Sequence, residues 1–170
     1  MSKKIDIHKL KKPFVILTIG IPLSGKSTWV NKNIPDDVRV ISRDNIIMEL
    51  SDTDDYNEAY KKVDEKKVNK ILYESFLDSN KKRQSVIIDM TFMTSKRRRI
   101  TLDYYKKDYY KLGVVFPFIS KEEFEKRNEK RKIEEKKYIP YSVIENMLSN
   151  YNTIDQEKEG FDKIIYINEF

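Results

Sequence analysis

The sequence predicts an α/β fold in which a central parallel sheet carries helices on both faces. Three observations predict it. Short apolar runs at 14–19, 38–41, 86–89, 114–119 and 164–167 alternate with longer stretches whose apolar residues recur at helical spacing. The runs are short and near-continuously apolar, as strands buried on both faces are. The first run leads directly into Gly20-Ile21-Pro22-Leu23-Ser24-Gly25-Lys26-Ser27-Thr28, a glycine-bearing turn between strand and helix.

Residues 1–12 are basic and lack the apolar segment of a secretory signal, so they are expected to form an arm ahead of a single domain over 13–170. His8, the chain's one histidine, lies in this arm and is given no role, so histidine-based acid–base or zinc chemistry is not expected. In the turn after the first strand, Gly20 and Gly25 allow torsions that aim backbone N–H groups at phosphate oxygens. Lys26 is expected to reach the β- and γ-phosphates and the Ser27 hydroxyl to hold Mg²⁺, while the opening helix adds its positive end. Ser24 and Thr28 complete the expected nucleotide-binding set. The implied cofactors are ATP, or another nucleoside triphosphate, and Mg²⁺.

The helix over 26–33 stops near Pro35, and the strand over 38–41 ends at Ser42-Arg43-Asp44. At a strand end facing the same crevice, Asp44 suits a general base. Asp44 or Ser42 is equally suited to capping the helix that begins at Asn45. Residues 56–77 read as one long amphipathic helix. A polar turn over 81–84 leads to the strand 86–89, whose terminal Asp89 has the form of a Walker B carboxylate holding Mg²⁺. A strand-end Asp is also a common turn residue.

Helix is expected from 96 to 111, stopped by Gly113, with a strand over 114–119. Lys96-Arg97-Arg98-Arg99 and Tyr104-Tyr105 combine charge and rings in the way that grips single strands. The alternative is core tyrosines beneath a solvated charged face. Ser120 with Glu123 forms a helix-start signature. The helix behind it carries Arg127 and Arg131 on one face, either as a lid over a nucleotide or paired on the surface with Glu123, Glu134 or Glu135. A helix over 142–151 and the strand 164–167 complete the chain.

The formal net charge of +6 suits a polyanionic partner, a nucleic acid or a nucleotide. Charged residues make up 36% of the chain, and no apolar run approaches the roughly 18 residues of a membrane span. The absence of cysteine excludes disulfides and thiolate metal sites, and fits a cytoplasmic setting. A homo-oligomer stays open.

Together, Gly20-x-Pro22-x-Ser24-Gly25-Lys26-Ser27-Thr28-Trp29, Ile41-Ser42-Arg43-Asp44, Asp89-x-Thr91 ahead of Arg97-Arg98, Lys126-Arg127-Asn128-x-x-Arg131 and Ile139-Pro140 resemble the 5′-kinase domain of the phage polynucleotide kinase family. The resemblance runs from about 14 to 151. It implies a P-loop kinase fold with a helical, arginine-bearing lid, and transfer of the γ-phosphate of ATP to the 5′-hydroxyl ends of DNA or RNA. It further implies that Lys26 and Ser27 take the phosphate and metal roles and that Asp44 is the general base. Arg131 is then the lid arginine on the transferring phosphoryl group, and Arg127 contacts nucleotide or holds the lid. Arg43, Arg97 and Arg98 are the candidate substrate contacts.

Three departures accompany it. Ile47 stands where the family has an arginine for the substrate phosphate, and Phe92 replaces an amide. The chain ends too soon for the family's phosphatase domain, so a kinase alone is expected. Ile47 and Phe92 make the acceptor side more apolar, which keeps open a small-molecule kinase for a nucleoside, sugar or antibiotic. A non-catalytic ATP-binding module is the third reading.

Overall fold

The structure is a computed structural model describing residues 5–168. Its centre is β1 (Phe14–Ile19), buried along its whole length. Parallel neighbours flank it, β3 (Val86–Asp89) on one side and β4 (Tyr110–Val115) on the other. β2 (Arg39–Ser42) and β5 (Lys163–Tyr166) form the edges, giving the order β2-β3-β1-β4-β5 with all pairs parallel. This is the predicted sheet.

The two faces of β1 explain its lack of polar alternation. Val15, Leu17 and Ile19 join Val68, Leu72 and Phe76 of α4 (Glu65–Lys81) and Leu102 of α5 (Ser95–Asp103). Phe14 and Ile16 point the other way, to Trp29 and Val30 of α1 (Lys26–Asn33). A third cluster, Ile21, Met93, Phe124 and Ile144, fastens α6 (Lys121–Glu135) and α7 (Tyr141–Ser149) over the C-terminal edge of the sheet. That edge is where open parallel sheets bind ligands.

Residues 1–4 of the expected arm lie outside the described residues. The rest of it is tied down: Ile7, in a short 3-10 turn capped by Asp6, is buried against the second cluster.

Several boundaries differ from expectation. The long helix over 56–77 is two, α3 (Tyr56–Lys62) and α4, because Asp64 accepts hydrogen bonds from the N–H groups of Lys66 and Lys67 and starts a new helix. The helix over 96–111 ends at Asp103, and β4 begins at Tyr110 rather than at 114. Gly113 is no helix stop. It lies within β4, where a Cβ would meet Ile164 Cδ1 at 2.8 Å and Phe161 Cε1 at 3.2 Å.

Arg98 also departs from expectation: it is a core residue with no exposed surface to offer a substrate. Its side chain is fully buried and paired with buried Glu159 of the short helix α8 (Gln156–Glu159). Its remaining N–H groups donate to the carbonyls of Phe92 at 2.9 Å, Met93 at 3.1 Å and Asn152 at 2.9 Å. A buried guanidinium is tolerated only when so completely satisfied. Glu159→Leu is therefore expected to lower stability by about 3–5 kcal/mol in urea unfolding, because it strands the cation. Arg98→Met combined with Glu159→Leu should recover only part of that loss, because the carbonyls of Phe92, Met93 and Asn152 then lose their donor.

Candidate active site

The phosphate loop takes its shape from close contacts. Gly25 sits at φ 96°, the left-handed conformation that suits glycine, and caps α1 without a side-chain hydrogen bond, leaving the helix's first amides open. Gly20 serves differently from expectation, by close approach: a Cβ there would lie 2.8 Å from Ser24 Oγ and 3.1 Å from Phe116 Cβ. Leu23 also has positive φ, 66°. The Gly20 N–H donates to the Thr91 carbonyl at 3.1 Å, joining the loop to the segment after β3.

Lys26 folds over this loop, its ammonium donating to the carbonyls of Gly20 at 2.9 Å and Ile21 at 2.6 Å. Burial lowers its pKa to about 8, opposed by the nearby charges of Asp89 and Asp44. Ser27 Oγ donates to Asp89 Oδ2 at 2.9 Å. The other Asp89 oxygen faces the buried Thr18 hydroxyl at 3.2 Å, and that hydroxyl accepts the Met90 N–H at 3.2 Å. The two expected metal residues are thus adjacent and their orientation fixed.

Ser42, not Asp44, caps α2 (Arg43–Leu50), accepting the Asn45 N–H at 3.3 Å. Asp44 is left free to enter the cleft. Its Oδ1 accepts from the hydroxyls of Tyr56 and Tyr60, each at 3.4 Å, and its Oδ2 from Lys137 Nζ at 3.3 Å. Burial lowers the Lys137 pKa, with the Asp44 carboxylate acting against it.

The lid arginines occupy distinct places. Arg127 Nη1 donates to the Leu23 carbonyl at 2.8 Å and its Nε to Glu123 Oε1 at 2.8 Å, binding α6 to the phosphate loop. Arg131 pairs with Glu135 at 3.2 Å and lines the cleft. Between them buried Asn128 exchanges two hydrogen bonds with the Ile139 backbone, at 2.7 and 3.0 Å, pinning the loop that carries Lys137.

Lys26, Ser27, Asp44, Asp89, Arg127 and Arg131 line one cleft of about 1430 Å³, with Thr28, Arg43 and Arg97 also on its wall. A single small ligand needs about 300–1,000 Å³. The cleft therefore has room for two substrates. Arg43 is held by Glu65 and donates to Tyr60 Oη at 3.1 Å, and exposed Arg97 donates to Tyr73 Oη at 3.5 Å. Ile47 is buried in the core and is not on the cleft wall, whereas Phe92, also packed in the core, is among the residues that line the cleft.

Sequence reasoning missed Tyr56, Tyr60 and Lys137. The tyrosines fall among the helically spaced apolar residues of the stretch 56–77, and Lys137 ends a run of charged residues. An i,i+4 tyrosine pair behind the Asp55 cap is the signal that marked a separate short helix.

Among the described residues no helix is long and apolar enough to cross a membrane. In structure the chain is similar to a chain of the Pnkp1/Rnl/Hen1 RNA repair complex, with 27% identity and a TM-score of 0.65 over 93% of this chain and 49% of that one. It thus spans about half the length of that relative. At 14% identity it shares its fold with a sugar kinase from Janibacter sp. (TM-score 0.60, covering 91% of this chain and 84% of that one). The same holds, also at 14% identity, for Chaetomium thermophilum Kti12 in complex with ADP-AlF3 (TM-score 0.59, covering 90% and 88%). The fold is that of P-loop kinases, which implies nucleotide binding. Residues 15–154 match the model of the AAA domain, and the chain belongs to that family.

Proposed function

We propose that the chain is an ATP-dependent polynucleotide 5′-hydroxyl kinase acting on DNA or RNA ends in the cytoplasm. The observation that carries this reading is the Asp44 carboxylate, which does not cap its helix and is set in the same cleft as Lys26, Ser27, Asp89 and Arg131. The 27% identity to a chain of an RNA repair complex favours a nucleic-acid acceptor.

The loop fits a triphosphate. Ser24 Oγ is buried, lies against Gly20 and has no hydrogen-bond partner among the described residues, which suits a phosphate oxygen. Ser27 and Asp89 would hold Mg²⁺, which commonly takes one or two protein oxygens and fills its shell with phosphate and water. When bound, the ion neutralises charge on the phosphates.

The acceptor hydroxyl enters beside Asp44 and gives its proton to the carboxylate as its oxygen bonds to the γ-phosphorus. The bond from that phosphorus to the bridging oxygen breaks and ADP leaves. Lys26 and Arg131 supply positive charge to the transferring group, a lid contribution worth about 10³–10⁵-fold in the strongest cases. Arg97, exposed on the cleft wall, meets the strand beyond its reacting end.

With γ-labelled ATP and Mg²⁺, a 5′-hydroxyl oligonucleotide is expected to be labelled in preference to a free nucleoside or sugar. Asp44→Asn should reduce this labelling by about 10²–10⁴-fold with ATP still bound. Retained turnover in that variant would remove the base assignment, and labelling of the small acceptors alone would remove the polynucleotide. Arg131→Ala should lower kcat far more than ATP affinity.

Arg97→Ala should raise KM for the oligonucleotide and reduce the slope of log KM against log salt by about one phosphate contact. ATP affinity should weaken as pH rises through about 8, because the buried ammonium of Lys26 loses its proton there and the neutral amine no longer attracts phosphate. Calorimetry in buffers of different ionisation heat would detect the accompanying proton uptake.

A further inference from the structure

Three donors from two elements surround the Asp44 carboxylate. Tyr56 and Tyr60 lie one turn apart on α3, their rings 4.9 Å apart and tilted by 47°. Both hydroxyls reach the same oxygen, Oδ1. Because Arg43 is only a donor, the Tyr60 oxygen accepts from it, and the Tyr60 proton remains available to Asp44. Burial, then the charge of Asp44, raises the pKa of both phenols, so they stay protonated donors at working pH.

Lys137 approaches the second oxygen from the lid. Its ammonium lies 3.3 Å from Oδ2 and 3.9 Å from the Tyr56 ring centroid. The chain reverses at Lys136, at φ 52°, and the Asn128 clamp on Ile139 fixes the far side of the turn. Among the described residues Asp44 is the one carboxylate within ion-pair distance of Lys137. Phenylalanines would fill the same space as Tyr56 and Tyr60, so packing alone does not account for two converging hydroxyls.

We propose that Tyr56, Tyr60 and Lys137 are positioning residues that act through Asp44. The tyrosine pair occupies Oδ1 and fixes the plane of the carboxylate, leaving Oδ2 to receive the acceptor's proton. Lys137 keeps Oδ2 turned into the cleft and yields its place as the acceptor hydroxyl arrives. A base misplaced by an ångström can cost on the order of 10²-fold in rate. The inference rests on Asp44 as the base of the proposed transfer, and not on the acceptor being a polynucleotide.

A double-mutant cycle tests it, read by phosphate transfer to oligonucleotide and by the slow hydrolysis of ATP with water as acceptor. Tyr56→Phe with Tyr60→Phe should lower kcat by about tenfold or more while ATP affinity changes less than about twofold. In an Asp44→Asn background the same pair should lower the residual rate by less than about twofold. Lys137→Met should behave likewise, and Lys137→Arg should restore part of the loss. Equal losses in both backgrounds, or no loss in either, would overturn the proposal. Hydrolysis without oligonucleotide labelling would refute the acceptor assignment alone, and the cycle would then be read on hydrolysis. A wild-type protein inactive in both assays would overturn both.

Discussion

The site depends on β1 and β3 ending at the same level, and one buried hydroxyl fixes that level. Register pairs Leu17 with Ile88, and the next residue of β1, Thr18, places its Oγ1 within 3.2 Å of both Asp89 Oδ1 and the Met90 carbonyl. A small β-branched side chain fits the strand and still offers a polar atom where the ladder ends. Asp89 is thereby held from behind while its other oxygen meets Ser27. Ser27 and Asp89, distant in sequence, become neighbours because the parallel strands β1 and β3 end within one residue of each other in register.

A second buried polar device keeps the segment after β3 in place. Phe92 has φ 49°, and the carbonyls of Phe92 and Met93 both accept from Arg98. The guanidinium gathers the β3–α5 loop, the Asn152 backbone and α8 around one charge, which Glu159 balances. Hydrogen-bonding capacity that a loop would otherwise satisfy with water is met internally. The loop can therefore line a cleft without collapsing into it.

The sheet, its order of elements and the phosphate loop were legible because they rest on local patterns: continuous apolar runs, glycine spacing and helix caps. The lid helix was legible for the same reason, since Ser120 caps it and accepts the Glu123 N–H at 3.1 Å. Arg98 was misread because a basic tetrad looks identical on a solvated face and around a buried pair, and its partner Glu159 is far away in sequence. Tyr56 and Tyr60 were hidden by their double nature, apolar in a periodicity count and polar at the tip. Lys137 was illegible because its environment is built by tertiary contact with Asp44 and Tyr56. The break at Asp64 was present in the sequence, but the apolar period running through it masked the cap.

Leu23 bears on how relatives of this chain can exchange parts. A leucine at φ 66° bears a backbone cost of about 1–2 kcal/mol relative to right-handed conformations. Its side chain packs against the cluster under α6 and α7, and its carbonyl receives Arg127. The loop's conformation is thus held in part by the helix above it, and that helix is anchored in part by the loop. A chimera that took the helical cap from one relative and the phosphate loop from another would break both halves of this arrangement. The modular piece of this fold is the loop together with its cover, although about a hundred residues of chain separate them.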